Sequence, residues 1–191
     1  MTAGDTLPSD LVVTVRIDLL DTDPPIWREV EVPVSMTLKQ LHAVIQAAMG
    51  WEDAHLWEFA VGRERISQSR AAKLPLEAVL GPRKTKLLYT YDFGDCWEHQ
   101  LTAAMPRAAE PNAAYPRYLA GERASPPEDC GGIPGFYAQL EILEDPDHPD
   151  HDDVQEWFGD YDPTVFDPEL VRAQLAQIAA RRATPKPPRA R

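Results

Sequence analysis

Seven side chains in two short stretches carry most of the chemistry this chain can do. Asp92, Asp95, Cys96 and His99 fall within YTYDFGDCWEH (89–99), and Glu128, Asp129 and Cys130 within PPEDCGG (126–132). Carboxylates beside an imidazole can move protons, or hold a divalent cation through oxygen and nitrogen. Cys96 and His99 have the two-residue gap seen in zinc sites, and Cys130 with a carboxylate would complete a tetrahedron. On a strand, however, positions 96 and 99 point to opposite faces, so Cys96, His99 and Cys130 are not expected to form a structural zinc site. The bland alternative is a buried polar network. Asp92 and Asp95 would bond turn amides, His99 and Trp97 would pack, and Glu128 with Asp129 would order the glycine-rich turn. Two loops so dense in Asp, Glu and Gly are expected to meet. Tyr91, Trp97, Glu128 and Cys130 are the expected binding contacts, and Asp92, Asp95, His99 and Asp129 the catalytic candidates should the chain be an enzyme.

A second group, His148 and His151 among Asp145, Asp147, Asp150, Asp152 and Asp153, could ligate a divalent cation, but such a run reads better as a solvated acidic face. Trp27, Trp51, Trp57, Tyr89, Tyr91, Phe93 and Trp97 read as sheet core rather than as a ligand groove. No cofactor is expected, a divalent metal being the one candidate. No GxxxxGK[ST], GxGxxG or GxSxG occurs. Ser35, Ser67, Ser69 and Ser125 all lack the arginines and basic helix-turn-helix that a serine recombinase needs.

The 191 residues carry a formal charge of -12. Residues 89–170 hold 3 Lys/Arg against 19 Asp/Glu, whereas 171–191 hold 6 Lys/Arg and no acid. Such an acidic body repels phosphate backbones, so the folded part is not expected to bind nucleic acid. ATPKPPRAR at the end reads as a basic, Pro-rich tail. No apolar run reaches the roughly 20 residues that span a bilayer, and MTAGDTLPSD has no signal-peptide pattern. A cytoplasmic protein with reduced cysteines is expected.

The elements that must position these residues are legible from periodicity. LVVTVRIDLL (11–20) and IWREVEV (26–32) alternate as two pairing strands. Thr37 with Gln40 makes a capping box ahead of Leu38, Leu41, Val44, Ile45, Ala48 and Met49, and Gly50 ends that helix. Further strands are expected at 55–61, 86–93 and 96–105, the last two joined by Gly94 and Asp95 as a two-residue turn. A short helix is expected near 76–80, and a loop with one short strand around 115–119 within 106–130. One helix should then begin at Pro134 and carry Phe136, Leu140 and Leu143, and a second short one should contain Val154, Trp157 and Phe158. The last should be capped by Asp167, with Pro168 at its first position, and bury Leu170, Val171, Leu175 and Ile178. The predicted fold is α+β, a mixed β-sheet with a β-grasp-like ββα start, helices packed on it and a helical C-terminal part. It forms one domain over 11–182, with a disordered N-terminus (1–10) and the tail at 183–191.

PPIWR (24–28), YTYDFGDCWEH, PPEDCGGIPGF (126–136) and the run from Asp145 to Glu169 together resemble the plasmid pRiA4b ORF-3-like family, whose members also occur as TnpR-like passengers of IS1096-type insertion elements. The resemblance covers about residues 10–172. It implies an α+β fold and an association with mobile DNA, and brings no established reaction. Two positions depart from the family's pattern: an acid usually stands where this chain has Cys96, and a second histidine often stands where it has Trp57. The leading functional expectation is a non-enzymatic protein-binding module. The alternatives are a carboxylate- or metal-dependent hydrolase, and an acidic region at 144–169 that imitates nucleic acid to occupy a DNA-binding protein.

Overall fold

The computed structural model of the protein describes residues 11–183; the expectations for the N-terminus at 1–10 and for the tail beyond 183 lie outside the described residues. β1 (Leu11–Leu19) and β2 (Ile26–Pro33) form an antiparallel hairpin in which Val15 faces Val30 and Ile17 faces Arg28. Val13, Val15, Ile17 and Leu19 are all buried, as their period of two requires. α1 (Leu38–Met49) follows. The Thr37 side chain accepts from the Gln40 amide while the Gln40 side chain accepts from the Thr37 amide, and Gly50 closes the helix at φ 79°. A cap of this kind is worth about 1 kcal/mol.

β3 (Trp57–Val61), β5 (Thr85–Tyr91) and β6 (Trp97–Ala103) extend the sheet, whose strand order is β4-β3-β5-β6-β1-β2-β8, with β7 (Arg107–Ala108) beside the start of β1. β4 (Glu64–Ile66) and β8 (Arg117–Glu122) are its edges. α2 (Gln68–Ala71) and a 3-10 turn (Leu76–Val79) lead back from β4 toward α1. α3 (Gly132–Glu144), α4 (His151–Phe158) and α5 (Pro168–Ala183) complete the chain. Met36, Leu38, Leu41, Val44 and Ile45 from the α1 region meet Phe59, Tyr89, Leu101 and the β1 valines in one core. Among the described residues, no helix is long and apolar enough to cross a membrane.

The α+β class and the ββα opening hold, but several details differ from expectation. Every strand pairing among the described residues is antiparallel, where a mixed sheet was expected. The β5–β6 connection is not a two-residue turn. Tyr91 pairs with Trp97, leaving Asp92 to Cys96 as a five-residue loop closed by the Cys96 amide on the Asp92 carbonyl at 2.6 Å. β3 begins at Trp57, so His55 and Leu56 stay outside it. Leu170 is 55% exposed, because the buried face of α5 runs through Val171, Leu175 and Ala179, one residue's rotation away. Phe93, at the tip of the loop, is 53% exposed, and Trp27 is only partly buried, under the Arg16 guanidinium; the other five aromatics are core.

Two charged residues are buried by design of their partners. Arg28 lies under the Phe166 ring at 3.9 Å and donates to the carbonyls of Ala48, Trp27 and Glu122, tying β2 to the end of α1 and to β8. Glu31 is held between Arg107 and Arg117, which also share Glu110. Buried charge survives only when hydrogen-bonded, as Arg28 is, or paired, as Glu31 is.

Candidate functional site

Three loops converge at one end of the sheet: the α1–β3 connection (50–56), the β5–β6 turn (92–96) and the segment before α3 (123–131). The first is folded by α1 itself. Gly50 and Trp51 donate to the Gln46 carbonyl, the Asp53 amide donates to Gln46 Oε1, and Asp53 takes φ 58°. Trp51 then stacks on Tyr91 at 5.2 Å between ring centres and donates Nε1–H to the Pro126 carbonyl, which pins the third loop. The Tyr91 hydroxyl links all three. It accepts from the Ala54 amide at 3.0 Å and donates to Glu128 Oε1 at 2.5 Å, and the same Glu128 oxygen accepts from the Glu52 amide. Burial and the adjacent Glu128 carboxylate push the Tyr91 phenol well above its ordinary value, so it remains a donor at neutral pH.

The β5–β6 turn meets the segment before α3 directly. Asp92 Oδ1 accepts from the Gly94 amide at 2.8 Å, and Asp95 Oδ2 accepts from the Gly131 amide at 3.1 Å. Gly131 (φ 88°) and Gly132 (φ 67°) adopt left-handed backbone, and a Cβ on Gly132 would collide with the Asp95 carbonyl. Asp92, Cys96 and Asp129 also have φ between 54° and 57°, a conformation Asp tolerates better than most residues. The expected meeting of YDFGD with PPEDCGG is therefore present.

His55 sits between the two. Its Nδ1 lies 3.7 Å from Asp92 Oδ2 and its Nε2 3.1 Å from Asp129 Oδ1. Nε2 is shielded from solvent yet makes no hydrogen bond, the Asp129 contact being near enough but misaligned. Among the described residues, one ligating atom from each of His55, Asp92 and Asp129 lies within 4.8 Å of the others.

The sequence-predicted residues divide accordingly. Asp92, Asp95, Glu128, Asp129 and Tyr91 are brought together. His99 is wholly buried on the inner sheet face, edge-on to Trp51 at 5.2 Å and facing Tyr89 across the strands, with Nδ1 on the Trp97 carbonyl. Burial drives its imidazole down to about 4, so it is neutral. Trp97 is buried beside it. Cys96 is exposed, Cys130 is buried, and both thiols are free. Burial and the nearby Asp95 push Cys130 up to about 12, and burial with Glu98 and Asp92 raises Cys96, so both thiols are protonated at neutral pH. Glu128 orders Tyr91 and Glu52 rather than the glycine turn, a task that falls to Asp95. His148 accepts from the Asp150 amide and His151 lies 3.5 Å from Asp152.

Sequence reasoning missed His55 and the inner network around His42. His42 Nδ1 meets the Tyr89 hydroxyl at 2.7 Å and Nε2 meets Asp53 at 2.7 Å, while the ring stacks on Trp57 at 4.0 Å. Its pKa is lowered by burial, against the opposing pull of Asp53. The available signal was GWEDAH (50–55), a polar stretch straight after a glycine cap.

Beside this cluster runs an open cleft of about 540 Å³, lined by Trp51, Pro126, Pro127, Trp157 and Tyr161 with Glu52, Glu128 and Asp129 among its walls. Trp157 is 50% exposed, and the Tyr161 hydroxyl is buried without a hydrogen-bond partner.

Comparison with known proteins agrees with this architecture. A family model described as plasmid pRiA4b ORF-3-like protein matches residues 11–170. An uncharacterized protein, y4hQ, of Sinorhizobium fredii is 33% identical over 184 residues, covering 89% of this chain and 93% of that relative. The crystal structure of MM3350, a protein of unknown function from Methanosarcina mazei Go1, superposes with a TM-score of 0.78 at 34% identity, covering 83% of this chain and 96% of that one.

Proposed function

The chain belongs to the plasmid pRiA4b ORF-3-like family, and on that premise we propose that it is a cytoplasmic, non-enzymatic protein-binding module whose cleft receives a basic, extended segment of a partner protein. The observation that carries this reading is the lining of the cleft. Trp157, 50% exposed, offers its ring, the more buried Trp51 and Tyr161 with Pro126 and Pro127 complete an apolar wall, and Glu52, Glu128 and Asp129 supply negative charge. A Lys or Arg side chain suits such a surface, its apolar stem lying on the rings and its cation facing both ring quadrupole and carboxylate.

Charge supports the same partner. The 19 acids against 3 Lys/Arg in residues 89–170 steer basic surfaces inward and turn nucleic acid away. A DNA-binding protein would be one partner of this kind, with the acids of α4 (Asp152, Asp153, Glu156) beside the cleft standing in for phosphates. Hydrolysis by Asp92, Asp95, His99 and Asp129 fits less well, because Asp95 is committed to the Gly131 amide and His99 is sealed within the core.

The test is fluorescence anisotropy with a labelled, extended Arg/Pro peptide and its Glu/Pro counterpart. The basic peptide should bind at low salt, weaken toward about 150 mM salt and leave the acidic one unbound. Equal binding of both, or binding of neither, contradicts the proposal.

A further inference from the structure

We infer that His55, Asp92 and Asp129 form a binding site for one divalent transition-metal ion of the Mn²⁺ or Zn²⁺ class. The three residues come from three separate loops, and their ligating atoms lie within 4.8 Å of one another. Three ligands held at about 2.0–2.2 Å from one tetrahedral ion lie about 3.3–3.6 Å apart. The required closure is about 1 Å, and the Asp129 side chain, 69% exposed, is free to swing inward. Asp92 Oδ1 is fixed by the Gly94 amide, and its Oδ2 lies 3.7 Å from His55 Nδ1 while Asp129 lies by Nε2, so the imidazole turns to bring one nitrogen onto an ion shared by both carboxylates.

An independent observation separates this group from an ordinary acidic cluster. His55 Nε2 has no solvent contact and no hydrogen bond, although an acidic oxygen stands 3.1 Å away. A shielded imidazole nitrogen without a partner is costly to leave in that state, and a cation among the three groups supplies the partner. One imidazole and two carboxylates favour a first-row transition ion over Ca²⁺, which prefers six to eight oxygens. Solvent on the Asp129 side leaves room for water ligands. The rival arrangement without metal is a histidine held between the two carboxylates.

This inference stands apart from the peptide reading, sharing only Asp129 with the cleft, and His55→Ala tests one without the other. The probe is Mn²⁺ alone, followed by electron paramagnetic resonance of the full chain at about pH 7, with thermal melting to show that each variant remains folded. One Mn²⁺ should bind with nitrogen coupling from the imidazole. His55→Ala should abolish that coupling, and both His55→Ala and Asp92→Asn should weaken uptake about tenfold or more. Asp152→Asn with Asp153→Asn, in the acidic segment outside the site, should leave the signal unchanged. Failure to take up Mn²⁺, or uptake without nitrogen coupling that survives His55→Ala, overturns the site. The second result would assign the ion to the acidic surface.

Discussion

Gly132 lies so close under the Asp95 carbonyl that no side chain fits between them. The β5–β6 turn and the start of α3 are therefore keyed together by backbone contact as well as by the bond from the Gly131 amide to the Asp95 carboxylate.

Gly132→Ala should destabilise the protein by about 3 kcal/mol or more, since it combines a side chain at φ 67° with collision against backbone that cannot swing aside. Urea unfolding measures this. A loss under about 1 kcal/mol would mean that the two loops separate freely.

Asp92→Ala removes the acceptor for the Gly94 amide at a residue with φ 54° and should cost about 1–3 kcal/mol. Asp92→Asn retains both an acceptor oxygen and tolerance of left-handed backbone, so it should cost clearly less. Equal losses in the two variants would show that the charge of Asp92, and not its bond to the turn, is what matters.

The protein should lose stability in acid through His99. Its folded pKa of about 4 lies below the ordinary value of 6.5, so the unfolded chain binds the extra proton between those values. The contribution is complete above about pH 6.5 and disappears as the pH falls toward 4, amounting to roughly 3 kcal/mol. His42, also lowered by burial, adds in the same direction. Urea midpoints at pH 7 and 4.5 read the fall, and His99→Leu should flatten it. An unchanged slope in that variant would place the acid sensitivity elsewhere.

Arg28→Lys should behave as a disruptive change, costing about 2 kcal/mol or more. A single ammonium cannot reach the Ala48, Trp27 and Glu122 carbonyls together while lying flat under Phe166. Thermal melting near wild type would show that the fork geometry is dispensable.

How much of this was readable in the sequence follows from the range of the interactions. The β1–β2 hairpin, the capped helix ending at Gly50 and the Asp167 cap, which accepts from the Glu169 and Leu170 amides, are set by neighbours within a few residues. The meeting of YDFGD with PPEDCGG was inferable because so many Asp and Gly residues need partners. His55 was not, because its role depends on β3 starting two residues later than alternation suggested. The five-residue turn was hidden for a similar reason: the Cys96 amide reaches back to the Asp92 carbonyl, a conformation that no Gly-Asp pair announces. Trp157 in a cleft with Trp51 joins segments about a hundred residues apart, and only the packed fold brings them together.

The central claim, that the Trp51–Trp157 cleft receives a basic segment, is tested most directly by calorimetric titration of the Arg/Pro peptide into the wild-type chain and into Trp157→Ala. Trp157 is half-exposed, and its loss should leave the fold intact while removing about 1–3 kcal/mol of binding, the range expected for an anchoring aromatic that also faces a cation. Undiminished affinity in a folded Trp157→Ala variant would contradict the account.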